Sequence, residues 1–376
     1  MSMEPGQESS QNDSQNQVTP TPKILLTNEQ ILTKYDLELR SPDEILRFEG
    51  FDYYDKIVAK DTHLYSILNT RKMGAASFPW WLEAANGSLE ALKQRDFCLF
   101  ALKLIEGDMK NHFKMFLEAI PKGFAISEMV FGECLKGIWK GKIIISKFIH
   151  HNQRLFTFKA KPTTGFDVFA KDIQTYKDIL IPQERIVHTV FDGEPPYGRP
   201  LLEKCYFYAW LKKEIGFKFW GVFLERFGGP TAIIYYPSSD PDSTLQTQAL
   251  NALKDLQNET GMVLPDSFKI DFLRVAQGDI SYRDLIDSCN AEMTKAVLGA
   301  TQTVQEGTKG SYSLARVHDL VRHEYKLSDT SMLQNVIQFQ VIKRLCDLNF
   351  SEPLYPAFIF GETMSGAAPE KEMEVV

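Results

Sequence analysis

The sequence predicts an α+β protein on three observations. The stretch from Leu201 to Phe227 is compatible with helix throughout and is stopped by Gly228-Gly229-Pro230. Short runs between Phe124 and Val190 carry strand-like periodicity. Helical patterns precede and follow those runs, so a mixed sheet region is bracketed by helices.

Taken in order, residues 1–40 read as a disordered or extended arm, since positions 1–22 are rich in Gln, Asn and Ser and nearly devoid of apolar groups. Ser41-Pro42-Asp43-Glu44 is a capping box that opens a helix through about Phe48. Another helix carries Tyr53, Ile57, Tyr65, Ile67 and Leu68, and Phe78 to Leu82 reads as a strand. Helices follow over Leu89–Glu106 and Met109–Ile120, ended by Pro121-Lys122-Gly123. Strands are predicted over Phe124–Phe131, Lys142–Ile149, Leu155–Lys159 and Ile186–Val190.

From Leu201 to Phe227 only Gly216 and Gly221 interrupt a helix of roughly 40 Å. On a wheel of about 100° per residue, Leu202, Tyr206, Ala209, Trp210, Phe217, Trp220, Leu224 and Phe227 share a broad apolar face broken by Lys213. Cys205, Ile215, Phe219, Val222 and Phe223 cover much of the opposite side. Glu203, Glu214, Lys218 and Glu225 form a narrow polar seam. A helix apolar nearly all round is covered on several sides. Two settings provide that: the middle of a globular domain, or a ring of copies with the seam on a water-filled lumen. No uninterrupted apolar run of about 20 residues is present, so no membrane span is predicted.

Beyond the helix, Thr231–Tyr236 is a short strand between Pro230 and Pro237. Ser243 and Gln246 make a second capping box, opening a helix with Leu245, Ala249, Ala252, Leu253 and Leu256 on one face. Helix, strand tip and helix thus form a hairpin. Met262–Pro265 and Phe268–Leu273 return to strand character, and a helix over Ser281–Leu298 is capped by Gly299. Residues 299–311 form a polar, glycine-bearing loop; 312–350 are helical with a break near Ser328-Asp329; 351–376 are an irregular tail.

With 376 residues, 44% hydrophobic and 12% aromatic, the chain can bury the core of one or two connected globular domains. Five scattered cysteines without a CxxC pair point to free thiols in a reducing compartment. The absence of a basic-plus-apolar leader points to a protein kept in the cytosol or exported only inside a particle. A net charge of −7 without a dense Lys/Arg run disfavours tight binding to phosphates, but suits a surface that lets DNA pass without holding it.

No catalytic constellation emerges. Gly307-Thr308-Lys309-Gly310-Ser311 lacks the spacing of a phosphate loop and follows a helix cap. His318 and His323 are five residues apart, off the spacing that puts two ligands on one helical face. His150-His151 and His188 fall in or at the end of strands. The expectation is no catalytic residues, no metal and no cofactor.

Several ordered motifs carry a resemblance. Gly123–Phe131, then Tyr197-Gly198 with Leu201-Leu202, then Phe223-Leu224-Glu225-Arg226-Phe227-Gly228 with Pro230 come first. Lys295–Gly299 with Thr301 and Thr303, Gly310-Ser311 with Ala315 and Val317-His318, and Leu348-Asn349-Phe350 follow. Together, over about residues 40–350, they resemble the Mu-like branch of tailed-phage portal proteins. The resemblance implies a portal-type architecture assembled as a ring, typically a dodecamer, at one capsid vertex. It assigns residues 41–196 to a mixed α/β wing, 197–260 to stem helices with a clip at 228–242, and 261–298 to returning wing elements. It makes 299–311 a tunnel loop, followed by C-terminal helices over 312–350.

On the same basis Glu203, Glu214, Lys218 and Glu225 would line the channel. Thr301, Gln302, Thr303, Val304, Gln305 and Lys309 would form the tunnel loop, and Pro230, Ile233, Tyr235 and Tyr236 a clip for terminase docking. The implied partners are further copies of the chain, terminase, major capsid and scaffold proteins, head–tail adaptors, and double-stranded DNA in transit without sequence specificity. The implied locations are the virion vertex and, during assembly, the host cytoplasm. Another prophage component, such as a head–tail adaptor or minor head protein, is the competing reading, with a nucleotide-using hydrolase behind it.

Overall fold

The computed structural model describes residues 38–39, 43, 45, 49–161, 165–171, 177–227, 231–235, 244–258, 269–273, 282–299 and 312–361. β1 (Glu38–Leu39), α1 (Phe51–Lys60), α2 (Thr62–Ala76), β2 (Trp80–Glu83), α3 (Leu89–Lys103) and α4 (Met109–Phe116) come first. A helical turn at Ala119–Lys122 leads into β3 (Phe124–Glu133), β4 (Ile143–His151), β5 (Phe156–Ala160), β6 (Phe166–Lys171), β7 (Asp178–Ile181) and β8 (Ile186–Val190). The long helix follows as α5 (Leu202–Leu211), a π-helical turn (Lys212–Phe217) and α6 (Lys218–Phe227). β9 (Thr231–Tyr235), α7 (Thr244–Asn258), β10 (Lys269–Leu273) and α8 (Tyr282–Leu298) come next. α9 (Tyr312–Val336), a second π-turn (Ile337–Ile342), α10 (Lys343–Asn349) and β11 (Ala357–Phe360) complete the order.

β3 is the centre of an antiparallel sheet ordered β4-β3-β8, and a second sheet runs β1-β5-β6-β7. Phe124, Phe158, Val168 and Ile186 fill a cluster contributed by both sheets. A larger core forms where Phe97, Phe113 and Phe116 of α3 and α4 meet Met129, Ile145 and Phe148 of the first sheet and Ile337, Val341 and Ile342 of the second π-turn. A third cluster joins Tyr54, Leu64 and Leu68 of α1 and α2 to Leu202, Cys205 and Ala209 of α5 and Met293 and Val297 of α8.

Two glycines of the ordered motifs meet where the sheet hands over to the long helix. Gly123 has φ +88°, and a Cβ there would lie 2.5 Å from the Tyr197 carbonyl oxygen. Gly198 has φ +61°, and a Cβ would lie 2.3 Å from the Phe191 oxygen and 2.5 Å from the Gly123 oxygen. Only glycine fits both the handedness and the space. Leu201 N–H donates to the Ile120 carbonyl at 3.0 Å, which fixes the helix entry. At the other end of the chain, the Asn349 amide continues the edge of β4. Its Nδ2 donates to the Ile143 carbonyl at 2.8 Å and its Oδ1 accepts from Ile143 N–H at 2.7 Å.

The structure departs from the sequence expectations in four places. The helix expected through Tyr53 and Leu68 is two helices, because Asp61 leaves the helical conformation and caps α2 by accepting from Leu64 N–H. No break occurs at Ser328-Asp329: the Asp329 carboxylate is engaged by Arg71 and does not compete for the backbone, so α9 runs through. The tail is not irregular throughout, since β11 pairs antiparallel with β2, Phe358 opposite Leu82. β6 and β7 extend the second sheet where no strand was expected. Of the first capping box, Asp43 is described; it accepts from Ile45 N–H at 2.8 Å and from the Tyr54 hydroxyl.

Gly198→Ala is expected to lower stability in urea unfolding by at least about 2 kcal/mol, because strained backbone and carbonyl overlap coincide there. Gly221→Ala, in regular helix with nothing within 4 Å of the added carbon, is expected to raise it by about 0.5–1 kcal/mol.

Candidate functional site

The long helix sinks one stripe into the protein. Leu202, Cys205, Ala209, Lys212 and Gly216 are buried at spacings of three and four residues. A Cβ on Gly216 would stand 2.9 Å from Ile286 Cγ1, so this glycine marks a close approach to α8. The sequence placed Lys213 as the interruption of the apolar face. The structure places Lys213 at the surface, 3.4 Å from Glu214, and buries Lys212 instead.

Lys212 is buried because its charge is fully answered. Its Nζ lies 2.5 Å from Asp61 Oδ2 and donates to Asn290 Oδ1 at 2.9 Å. Asp61 therefore caps α2 and holds the long helix at once. His63 completes this polar floor, 2.8 Å from Thr294 Oγ1 and 3.1 Å from the Asn290 carbonyl. Burial lowers the His63 pKa, and the charge of Lys212 pushes the same way. A cleft of about 440 Å³ opens beside the floor, walled by Tyr53, Ile57, Trp210 and Phe217, with Lys56 and Lys60 also lining it. None of these polar partners was singled out from the sequence, although an Asp immediately before Thr62 is a recognisable cap signal.

Of the predicted seam, Glu214 lies 3.9 Å from Lys218, one helical turn on, and Glu203 lies 3.6 Å from its neighbour Lys204. Such solvent-exposed pairs contribute about 0–1 kcal/mol. Glu225 is exposed. The π-turn changes the angle per residue between Lys212 and Phe217, so a uniform wheel does not relate Glu203 to the residues beyond it. Lys218 and Glu225, both in α6, keep a common stripe at seven-residue spacing.

Ile233 and Tyr235 lie on β9, which pairs antiparallel with β10, Ile233 opposite Asp271 and Tyr235 opposite Lys269. Ile233 is half-buried and Tyr235 is 53% exposed. Pro230 and Tyr236 lie outside the described residues, as do Thr301, Gln302, Thr303, Val304, Gln305 and Lys309. The chain on either side of residues 300–311 is described, and a buried ion pair links α8 to the middle of α9. Arg71 grips Asp329 of α9 through two bonds of 2.8 and 2.9 Å and donates to the Val297 carbonyl of α8 at 3.0 Å. Tyr325 lies over the guanidinium at 4.6 Å, and its ring edge would be 2.4 Å from a Cβ on Gly299, whose φ is +75°. Burial raises the Asp329 pKa even with Arg71 opposing the shift.

Among the described residues no group of three or more His, Cys, Asp or Glu is placed to hold a metal ion. No helix among them is long and apolar enough to cross a membrane.

The sequence profile of the family described as portal protein of Mu bacteriophage matches residues 51–375. The portal protein of Escherichia phage Mu is 25% identical over 323 residues, covering 82% of this chain and 59% of that protein's length. In fold, the chain is similar to a subunit of the neck of an empty gene transfer agent particle computed with C6 symmetry, with TM-score 0.63, 10% identity and 89% of each chain covered. It is likewise similar to a subunit of the neck of the native particle computed with C12 symmetry, with TM-score 0.61, 10% identity, and 86% and 85% of the two chains covered.

Lys212→Met, which leaves the Asp61 carboxylate buried without its cation, is expected to cost about 3–5 kcal/mol in urea unfolding. Adding Asp61→Asn, which keeps the cap oxygen but removes the charge, is expected to recover at least about 1 kcal/mol of that loss in a double-mutant cycle.

Proposed function

Because the chain belongs to the family of portal proteins of Mu bacteriophage, we propose that it forms the ring at one capsid vertex through which double-stranded DNA is packaged and ejected. The match spans 59% of the length of the phage Mu protein, so the activity and partners of that whole protein come to this chain as part of the proposal.

One observation carries it. The long helix, already sunk along one stripe, leaves two further apolar flanks bare on either side of the Lys218–Glu225 stripe. Phe217 and Leu224 on one flank are 51% and 52% exposed, and Phe219 and Val222 on the other are 49% and 39% exposed. At about 100° per residue the two flanks face in different directions, so no single neighbour covers both. A head-to-tail contact, one flank of each copy against the other flank of the next, covers both and closes into a ring when the rotation allows. The polar stripe between them then faces the axis. The sixfold and twelvefold symmetry of the particle necks that share the fold supports the same arrangement.

An axis lined by Glu214, Lys218 and Glu225 suits passage without capture, because carboxylates repel phosphates and the isolated lysine contact is screened by salt. The β9–β10 pair at the far end of the helix is the surface for terminase, with Ile233 and Tyr235 on it. The part of the chain around the β3-centred sheet meets shell, scaffold and head–tail adaptor proteins. The role is structural. Assembly takes place in the host cytoplasm, and the ring remains in the virion.

Changing Phe217 and Leu224 to Glu, or Phe219 and Val222 to Glu, is expected to yield monomers in sedimentation velocity. Mixing the two variants is expected to yield dimers and nothing larger, since only one competent pair of flanks remains. Reversing Glu214 and Glu225 to Lys is expected to leave the ring intact and slow DNA packaging at low salt; an unchanged rate would remove those residues from the channel wall.

A further inference from the structure

A continuous chain of hydrogen bonds runs through the packing of α4 against the β3–β4 sheet. Ser127 Oγ on β3 is 2.6 Å from His150 Nδ1 on β4. His150 Nε2 is 3.0 Å from His112 Nδ1 on α4, and His112 Nε2 is 2.9 Å from the Glu106 carbonyl in the α3–α4 turn. Ser127 is 1% exposed and His112 8%. Both rings are wedged among Phe116 and Phe148.

The carbonyl at one end fixes every proton. Glu106 O accepts only, so His112 Nε2 carries a hydrogen and its Nδ1 is the acceptor. His150 Nε2 must then donate, and its Nδ1 accepts from the Ser127 hydroxyl. The chain holds in this one pattern, with both imidazoles neutral. A proton on His112 Nδ1 would set two N–H groups head to head across 3.0 Å. A proton on His150 Nδ1 would turn the Ser127 hydroxyl away and leave an imidazolium in an apolar setting.

Among the described residues no carboxylate is hydrogen-bonded to either ring. Glu106 offers its backbone carbonyl. The side chain of Glu128 on β3 is 3.3 Å from His151 and pairs with it. The ionisable groups acting on His150 are His112 from α4 and His151 from its own strand, and both repel a proton.

We propose that the Ser127–His150–His112–Glu106 chain is an acid-operated latch, holding α4 on the β3–β4 sheet at neutral pH and releasing it when the His150 imidazole takes up a proton. Burial, reinforced by the neighbouring imidazoles, pushes the His150 pKa down to about 4. In the released state the ring returns to its ordinary value of about 6.5. A histidine with a depressed folded pKa contributes stability that is present above about pH 6.5 and is lost as pH falls toward 4. The opening equilibrium of α4 therefore rises about tenfold per pH unit across that window. The latch acts within one copy and does not depend on ring formation.

The test is hydrogen exchange of the full chain over residues 109–117 between pH 7 and pH 4, corrected for the intrinsic exchange rate. The expected result is a steep rise in opening below pH 6.5 in this segment, with the Leu89–Lys103 helix, which carries no histidine, unaffected. His150→Gln, whose amide can accept from Ser127 and donate to His112, is expected to change opening less than about twofold over the whole range. A flat wild-type profile, or a His150→Gln profile as steep as wild type, overturns the proposal. If that variant does not fold, imidazole ¹⁵N shifts of the wild-type protein decide. His150 must become charged in step with loss of α4 protection; a charged His150 under a fully protected α4 also overturns it.

Discussion

The interaction on which the rest of the structure depends is the pairing of Lys212 with Asp61 beneath the long helix. A cation there would be intolerable in an apolar core, yet its partner is already required: Asp61 ends α1, caps α2 and has one carboxylate oxygen to spare. Asn290 takes a further hydrogen of the ammonium, which brings in α8. One side chain thus registers the long helix against three others, at the point where its backbone passes through a π-turn. Arg71, on α2, repeats the logic at the end of α8, joining it to α9 through Asp329. The two buried ion pairs tie the long helix, α8 and α9 to α2 and its cap.

Because the helix is held along a single stripe, most of its aromatic surface is left for something else. The cores around the two sheets are dense with edge-to-face aromatic pairs such as Phe97 with Trp139 and Phe124 with Phe158. The contrast between those packed cores and a helix with two bare flanks fits the proposed ring. It also explains the composition of Leu201–Phe227, which is too apolar for the surface of a monomer and too charged for a membrane.

Much of this was legible in the sequence because it is local. The β8 strand, the end of α8 at Gly299 and the helix–strand–helix order around β9 follow from periodicity, capping and breaker residues. The meeting of Gly123 and Gly198 was visible only as two members of a motif series; their contact is the reason both are glycine. What escaped is non-local. Arg71 and Asp329 are 258 positions apart, and nothing near either announces the other. β11 becomes a strand only because β2 is there to pair with it. The π-turn, too, holds the buried Lys212 and Gly216, and the sequence around it reads as ordinary helix. The helix itself is legible in its residues; which lysine it buries is not.

The most direct test of this account is a single-particle electron microscopy map of the purified full-length protein. The account predicts a closed ring in which residues 202–227 of each copy lie between two neighbours, with Phe217 and Leu224 against the next copy and Lys218 and Glu225 on the axis. A monodisperse monomer, or a ring in which that helix lies on the outer surface with both flanks in solvent, would contradict it.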